Sequence, residues 1–371
     1  MSDKTTNQPK IFDSNSSEIL MPYTQLENIN LNEFDLEEVN FEGSNLANAT
    51  FNKTNINKAN FNWANLKGAD FTHVKIKKAS FIGANLEGAK FDFAEFESDS
   101  EDYNSPFEGA IFQGANLKNV SFTNAGAESS NFSGAIIHFT NFNNSNLEGA
   151  SFNSSTISES SFKKVSLQSA GFYETKIANC LFQSCVFECS HFTNSILTKV
   201  DFIACRFILS TFNNTTINHN FISKTIFESG DLTKTHFKNS TIVESDFSGN
   251  EFKKAEFEHC NLTGVNFNQV EMKEGYFLNS KLNKANLSKI VATNVTFNGN
   301  KMEETQLDES SLNSCRIMCN NMNNASFLKA TLTDCNINKN TFDQLSASKL
   351  IEKLLRCNVD EFSNDDEDLP F

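Results

Sequence analysis

An apolar residue occupies every fifth position along most of the 371-residue chain. The period begins at Leu26 and continues to Phe96, then resumes one residue out of phase at Phe107 and runs to Phe342. A period of five matches neither the 3.6 residues of a helical turn nor the two-residue alternation of a strand. It predicts one short edge of backbone per repeat, with a corner between successive edges.

The residue two positions before each central apolar residue is nearly always small, as at Ala64, Ala84 and Ala115. Both positions are therefore predicted to face a narrow interior. The composition supports this interpretation, because the chain has 38 Phe against one Trp and four Tyr. A mixed globular core does not repeat one aromatic shape in this way.

These repeats resemble the pentapeptide-repeat family, whose pattern is Ala-(Asp/Asn)-(Leu/Phe)-x-x. The resemblance covers about residues 26–342. Matching copies stand at Ala64-Asn65-Leu66, Ala84-Asn85-Leu86, Ala115-Asn116-Leu117 and Ala285-Asn286-Leu287. In that family four repeats form one square coil, so residues twenty positions apart stack. The resemblance implies an all-β fold, a right-handed quadrilateral parallel β-helix.

The sequence agrees with stacking at an interval of twenty residues. One column reads Phe112, Phe132, Phe152, Phe172, Phe192 and Phe212, and the opposite column reads Phe122, Phe142, Phe162, Phe182 and Phe202. Past about residue 230, a new column appears at Phe237, Phe257, Phe277 and Phe297. Asn300, Asn320 and Asn340 fall in one inward column, where we expect their amides to hydrogen-bond along the stack. Fifteen to sixteen coils at the ~4.8 Å strand spacing predict a rod of about 75 Å.

The pattern divides the chain into six segments. They are a disordered segment at 1–20, N-terminal coils at 21–96, an acidic loop with the register slip at 97–106, the main β-helix at 107–342, a short C-terminal α-helix at 343–357 and a disordered acidic tail at 358–371. The helix is predicted from apolar residues at helical spacing, namely Leu350, Ile351, Leu354 and Leu355. We expect such a helix either to cap the last coil or to pair with a second molecule.

No pattern in the sequence indicates catalysis. The six histidines are scattered over different faces without a partner at ligand spacing, and there is no nucleophile-elbow or P-loop motif. Six of the nine cysteines occupy the inward small-residue position, where they are expected to pack as compact apolar side chains. We therefore expect no enzyme activity, no cofactor and no metal site.

Charge indicates the class of partner. The formal net charge of -15 argues against binding to nucleic acid or to an anionic membrane and favours a basic protein partner, although solubility alone also explains an acidic excess. The N-terminus lacks a basic start followed by an apolar run, and no stretch has the ~20 apolar residues of a membrane span. A cytoplasmic location is therefore expected.

One column of the predicted rod is rich in acids. Between Phe107 and residue 329 it carries eight acids against three bases, Arg206, Lys289 and Lys329. The acids are Glu108, Glu128, Glu148, Glu188 and Glu228, each just after a central residue, joined by Asp246, Asp308 and Glu309. Stacked like charges are destabilising. The row is therefore interpreted either as a binding surface or as an ordinary solvated face.

Two regions resemble the quinolone-resistance, or Qnr-type, members of the family. The segment Ala347-Ser348-Lys349-Leu350-Ile351-Glu352-Lys353-Leu354 is similar to their final helix, and the segment from Ala94 through Phe107 is similar to their first projecting loop. Those proteins are dimeric DNA mimics that bind type II topoisomerases and shield them from quinolones. The resemblance implies a homodimer through Leu350, Ile351, Leu354 and Leu355.

The same resemblance implies a partner-binding loop. Its contact residues are Glu97, Asp99, Glu101, Asp102 and Tyr103. The implied partner is DNA gyrase or topoisomerase IV, bound without direct contact to nucleic acid or membrane. The alternative is a protein-interaction scaffold, or an exported effector, that uses the flat faces of the solenoid.

Overall fold

The computed structural model describes residues 22–96, 109–343 and 354–360. In these ranges the chain is a parallel β-solenoid without a helix, and no helix there is long and apolar enough to cross a membrane. Strands pair in parallel with the strand twenty residues ahead, so that Phe202 lies beside both Phe182 and Ile222. The predicted stacking of residues twenty positions apart is confirmed.

The strands are two or three residues long, one per side of a coil. They are β1 (Lys75–Ile76), β2 (Glu95–Phe96), β3 (Ile136–His138), β4 (Thr156–Ser158), β5 (Ser161–Lys163), β6 (Lys176–Ala178), β7 (Leu181–Gln183), β8 (Val186–Glu188), β9 (Ile196–Thr198), β10 (Asp201–Ile203), β11 (Arg206–Ile208), β12 (Thr216–Asn218), β13 (Phe221–Ser223), β14 (Ile226–Glu228), β15 (His236–Lys238), β16 (Thr241–Val243), β17 (Glu251–Lys253), β18 (Glu256–Glu258), β19 (Glu271–Lys273), β20 (Tyr276–Leu278), β21 (Val291–Thr293), β22 (Thr296–Asn298), β23 (Ser311–Asn313), β24 (Arg316–Met318), β25 (Thr331–Thr333), β26 (Asn336–Asn338), β27 (Leu354–Leu355) and β28 (Asn358–Asp360).

The rod has four sides, which we label faces A to D in chain order. Face A holds the six-stranded sheet of β17, β19, β21, β23, β25 and β27, and face B holds the twelve-stranded sheet from β3 to β28. Face C holds the five-stranded sheet of β5, β7, β10, β13 and β16, and face D holds β8, β11 and β14. Isolated bridges extend each face toward the N-terminus, and Glu95↔Gly126 places β1 and β2 on face D.

A corner follows every strand and explains the period of five. The residue two positions after each central residue adopts a left-handed conformation, with φ of 56° at both Asn48 and Lys53 and 52° at Leu209. This conformation is unfavourable for residues other than glycine and asparagine. Lysine, serine and leucine nevertheless occupy it, because the stacked coils on either side determine the backbone path.

The core is a continuous stack of central side chains. Phe112 lies parallel to Phe132 with ring centroids 4.9 Å apart, and it meets Phe122 of the opposite column edge-on at 5.6 Å. Parallel stacks within a column and edge contacts between columns are both favourable aromatic geometries. The exchange of columns is also confirmed, since Phe237 and Phe257 stack at 4.7 Å on face B.

Most polar side chains at the inward small position bond to the backbone, whereas the buried hydroxyls of Ser130, Ser155 and Ser310 have no hydrogen-bond partner. The Thr54 hydroxyl donates to the carbonyl of Leu31 at 2.7 Å, and the Thr140 hydroxyl donates to that of Leu117 at 2.6 Å. Each bond reaches the central residue of the preceding coil. A buried hydroxyl without such an acceptor would destabilise the core. Serine and threonine can therefore replace alanine inside the rod.

The predicted asparagine ladder is confirmed in the inward column at the start of face C. Asn300 Nδ2 donates to Asn320 Oδ1 at 3.0 Å, and Asn320 Nδ2 donates to Asn340 Oδ1 at 3.0 Å. Each amide also donates to a carbonyl, as Asn320 Nδ2 does to Phe297 O at 3.0 Å. All three asparagines are buried.

The register slip near residue 100 does not rotate the first coils. Ser80 bridges to Ile111, thirty-one rather than twenty residues ahead, and Lys90 bridges to Ser121. Phe81 stacks on Phe112 at 5.0 Å across the insertion. The described coils on either side of the insertion therefore stack directly on each other, and every face is continuous past it. The predicted loop at 97–106 lies outside the described residues.

The predicted C-terminal helix at 343–357 is wrong in its described part. Leu354–Leu355 is strand β27, in which Leu354 pairs with Leu332, and Asn358–Asp360 is strand β28, in which Val359 pairs with Ile337. Leu354 and Val359 pack partly buried against the core. They cover the apolar end of the last full coil, which a solvated tail would leave exposed.

This correction affects two further predictions. Leu354 contacts its own rod, so it does not belong to the predicted helical dimer seam, and Leu355 is part of the same strand. The other seam residues, Leu350 and Ile351, lie outside the described residues. The disordered tail predicted from residue 358 is likewise wrong for Asn358–Asp360, which form a strand.

We expect Phe172→Asp to destabilise the rod by more than about 4 kcal/mol, because it places an unpaired carboxylate in a buried column. Phe172 is fully buried between Phe152 at 5.0 Å and Phe192 at 4.6 Å. Thermal melting by circular dichroism measures the effect. The matched control is Tyr173→Asp at the next residue, which is 43% exposed and should melt within a few degrees of wild type. Equal melting of the two variants would contradict the interior assignment.

We expect Asn320→Ala to destabilise the C-terminal coils by about 3 kcal/mol. The change removes the acceptor of the Asn300 backbone N–H at 2.9 Å and of its Nδ2, and each buried donor left unpaired costs about 1–3 kcal/mol. Urea unfolding is the measurement. Asn313→Ala alters an exposed amide on β23 and should shift stability by less than about 0.5 kcal/mol. A neutral Asn320→Ala variant would show that the ladder is dispensable.

Candidate protein-binding face

Four of the predicted acids lie in one outward column of face D. Glu128, Glu148, Glu188 and Glu228 each follow a buried central residue, so their side chains point away from the core. Ile208 pairs in register with both Glu188 and Glu228, which places these two acids two coils apart. The structure brings these four together, whereas Glu97, Asp99, Glu101, Asp102, Tyr103 and Glu108 lie outside the described residues.

The acidic row is interrupted by neutral residues. Gln168 stands between Glu148 and Glu188, and its Nε2 donates to Glu188 Oε2 at 3.0 Å. Asn146 Nδ2 likewise donates to Glu128 Oε1 at 2.6 Å. These amides reduce the repulsion between stacked carboxylates. The row therefore keeps its negative charge, while the amides limit the destabilisation that stacked carboxylates would cause.

The uncompensated part of face D lies in the coils between residues 126 and 249, where Asp246 is its last acid. Arg206 is the one base on the face in that span. Toward the C-terminus Glu309 lies 3.9 Å from Lys289 and 4.0 Å from Lys329, so charges balance there. Toward the N-terminus the same face carries lysines at 75, 77 and 78. The negative surface is thus shorter than the rod.

Aliphatic side chains are exposed among these acids. Leu209 is 54% exposed and Ile226 is 39% exposed, and Ile208 is half-buried between Glu188 and Glu228. The sequence analysis treated the face as a charged column and missed them. The sequence could have indicated them, because they are large apolar residues at positions of the repeat that face outward. An exposed apolar group ringed by charge is typical of a protein-binding site.

A cleft of about 420 Å³ lies where the 97–108 segment leaves the rod. Its lining includes Phe93, Glu95 and Glu128, so it adjoins the acidic row. Phe93 is 48% exposed, and the ring of His73 stacks on it at 5.1 Å. The cleft adds an aromatic and two carboxylates to the N-terminal end of the negative surface.

Sequence repeats decide the family. The family model for pentapeptide repeats matches the chain in eight copies, over residues 24–62, 64–98, 107–138, 130–168 and 231–269. This chain belongs to the pentapeptide-repeat family. No curated protein sequence matches it significantly.

Several solved structures are similar to this pentapeptide-repeat protein. QnrB1, a plasmid-mediated fluoroquinolone resistance protein, was solved in a trypsin-treated form that is 15% identical, with 88% of this chain and 95% of that chain covered and a TM-score of 0.25. HetL from Nostoc sp. strain PCC 7120 is 14% identical over 72% of this chain and 89% of that chain, with a TM-score of 0.19. A pentapeptide repeat protein of the Arabidopsis thaliana thylakoid lumen is 26% identical over 26% of this chain and 67% of that chain, with a TM-score of 0.19. The family assignment therefore rests on the sequence repeats.

Face B of the pentapeptide-repeat rod carries a polar network that the sequence analysis missed. His236 Nδ1 lies 3.5 Å from Glu256 Oε2, and its Nε2 lies 3.5 Å from Glu258 Oε2. Lys238 Nζ lies 3.0 Å from Glu258, and this hydrogen bond lowers the pKa of Glu258. The Tyr276 hydroxyl donates to Glu256 at 2.7 Å. The partners of His236 come from the next coil, so spacing along the sequence did not reveal them.

The described residues contain no metal-binding arrangement. In the ranges 22–96, 109–343 and 354–360, no group of three or more His, Cys, Asp and Glu side chains is arranged to hold a metal ion. Burial raises the pKa of the Cys180 and Cys260 thiols to about 12. These thiols are therefore protonated at neutral pH and are poor nucleophiles. The chemistry that the rod offers is on its outer faces.

Proposed function

We propose that this chain is a non-catalytic, protein-binding rod that engages a basic partner through face D. The observation that carries this proposal is the row of Glu128, Glu148, Glu188 and Glu228, which Arg206 alone opposes on that face between residues 126 and 229. A cluster of like charges on one side of a protein attracts and orients an oppositely charged partner. The interior supports a non-catalytic role, because it is filled by stacked side chains.

The rod holds the acids in place before a partner arrives. The backbone on either side is fixed by bonds between coils, such as Arg206 N to Cys185 O at 3.0 Å and Ile226 N to Cys205 O at 3.0 Å. A rigid surface loses little conformational entropy on binding, which favours affinity. Face D is therefore a preorganised surface and needs no induced folding.

A type II topoisomerase, DNA gyrase or topoisomerase IV, is the partner that we propose to test first. The surface on which such an enzyme holds DNA is basic, since it binds phosphates, and a negative row on a straight rod is complementary to it. In this proposal the rod acts as a partial DNA mimic and protects the enzyme from quinolones. Along the axis, the rod offers at most one acid of this row per ~4.8 Å, whereas one DNA strand carries one phosphate charge per ~3.4 Å.

We expect the protein to inhibit gyrase supercoiling at micromolar concentration and the neutralised row to lose this effect. The test variant combines Glu128→Gln, Glu148→Gln, Glu188→Gln and Glu228→Gln. The matched control combines Glu159→Gln, Glu174→Gln, Glu244→Gln and Glu304→Gln, which change the net charge equally at exposed positions of the other three faces. Inhibition by wild type and by the control, but not by the test variant, supports face D.

The same supercoiling reaction is repeated with a quinolone and at two salt concentrations. Electrostatic binding weakens as salt screens the charges. Absence of inhibition by the wild-type protein, together with absence of rescue from the quinolone, would remove the topoisomerase from the proposal.

A second candidate function is a protein-interaction scaffold without a link to DNA enzymes. The exposed aliphatic residues Ile208, Leu209 and Ile226 favour it, because a surface that only imitates phosphates gains nothing from them. Apolar contact is insensitive to salt, unlike the contact of the leading proposal. Stable binding of a protein other than a topoisomerase in high salt therefore distinguishes the scaffold.

A further inference from the structure

Three consecutive coils of face D present an acid, an aliphatic residue and an acid in one column. Glu188, Ile208 and Glu228 are in register on β8, β11 and β14. Beneath them, the ring centroids of Phe187 and Phe207 are 4.4 Å apart, and those of Phe207 and Phe227 are 4.9 Å apart. At the strand spacing of ~4.8 Å, the two acids are about 10 Å apart with the aliphatic residue midway between them.

Leu209 widens the aliphatic centre of this column. It stands at the corner beside Ile208 and is 54% exposed. The neighbouring corner positions one coil away are Cys189 and Ser229, which are smaller. Leu209 therefore projects above the surrounding surface, level with Ile208. The two acids lie one coil to either side of the apolar group.

A partner must contact this surface through side chains. The backbone groups of face D bond to the coils above and below, as Phe227 N does to Asp246 O at 2.8 Å and Leu209 N does to Glu228 O at 2.8 Å. No strand edge is open along this part of the face, so a partner cannot add a strand to it. The bound element must instead bring its own complete set of backbone hydrogen bonds.

An α-helix meets this requirement and also matches the repeat of the rod. A helix lying along the rod axis presents one side chain to the surface per turn of 5.4 Å, close to the ~4.8 Å rise of a coil. The mismatch accumulates to only about 1 Å over two turns. An extended strand presents side chains to one side every ~6.7 Å, so it loses register by almost 2 Å at each step.

We propose that Glu188, Ile208, Leu209 and Glu228 form a docking site for a basic amphipathic α-helix of a partner protein. The helix lies along the rod, with Lys or Arg at positions i and i+7 facing the two acids and with Leu or Ile at i+3 and i+4 facing Ile208 and Leu209. This assignment rests on the proposed protein-binding function of face D and specifies the partner element that it receives.

The two acids favour a basic helix at this site, whereas Arg206 opposes it. Glu228 is exposed, and no basic side chain lies in its column on the adjoining coils, where the residues are Ile208 and Ser248. Glu188 accepts from the neutral Gln168. Arg206 flanks Ile208 on the other side and repels a basic helix. Removal of Arg206 is therefore expected to tighten binding, which an unspecific apolar contact would not show.

The test uses a fluorescent, alanine-rich helical peptide of about 15 residues, a length at which such peptides become helical in water. The probe carries two lysines seven positions apart with two adjacent leucines midway between them. Fluorescence anisotropy with the full-length protein measures its dissociation constant. A second peptide replaces both lysines with glutamate, and a third replaces both leucines with serine.

We expect Leu209→Glu to weaken probe binding by at least about tenfold, as loss of a central apolar anchor does. Glu228→Gln should weaken it about threefold, in the range of one exposed ion pair, and Arg206→Gln should tighten it about twofold. Ile136→Glu on face B is the matched control, since Ile136 is 56% exposed against 54% for Leu209. Both altered peptides should bind at least about tenfold more weakly than the probe.

Circular dichroism melting of each variant checks that the rod remains folded. The proposal is overturned if the probe does not bind saturably, if Leu209→Glu and Ile136→Glu behave alike, or if the leucine-free peptide binds as well as the probe. A protein that still inhibits gyrase through its four acids while failing to bind the probe would keep the proposed function and refute the helix site. A protein that binds the probe without affecting gyrase would keep the helix site and remove the topoisomerase as its partner.

Discussion

The structure depends on one constraint, the stacking of each residue on its counterpart twenty positions ahead. A central side chain such as Phe192 finds the same surface on the coil before it and on the coil after it, with rings 4.6 Å and 4.8 Å away. The backbone bonds between coils enforce the same register for every other position of the repeat. The outer faces therefore consist of columns as regular as those of the core. A functional surface of this rod follows from which side chains share an outward column.

The same constraint excludes function from the interior. The central positions fill the shaft, and the small inward residues bond to its walls, as Thr175 does to the carbonyl of Phe152 at 2.8 Å. The buried thiols of Cys180 and Cys260 are held in their protonated form. Close packing of this kind leaves no space for a substrate inside the rod. What the protein recognises must therefore be read from exposed residues, whose identity the fold does not determine.

The sequence predicted the interior well and the exterior in part. The phenylalanine columns and the asparagine ladder were predictable because the interior accepts few residue types and repeats them at a fixed interval. The helix prediction failed because Leu354 satisfies two periods at once. It fits a helical stripe with Leu350 and Ile351, but it also stands five residues before Val359, with Cys357 at the inward small position between them. The structure follows the five-residue period, because Leu354 and Val359 then pair with Leu332 and Ile337 of the preceding coil and cover them.

The polar network around His236 could not be predicted from residues close to it in the sequence. Its partners are identified only when the twenty-residue rule is applied to outward positions. The predicted loop at 97–106 lies where the five-residue register is interrupted. The twenty-residue rule therefore gives no stacking partners for its residues.

Face D differs from a simple imitation of DNA in its mixture of charge and apolar surface. Duplex DNA carries one charge per ~1.7 Å of its axis, whereas the column from Glu128 to Glu228 carries four charges over five coil steps, or about 24 Å. Electrostatics at this density directs a basic partner toward the rod but supplies little affinity by itself. Ile208 and Leu209 lie where such a partner would rest, and burial of their exposed surface provides the short-range attraction that the sparse charges lack. The two features are complementary, because charge selects the sign of the partner and the aliphatic centre fixes its position along an otherwise repetitive surface.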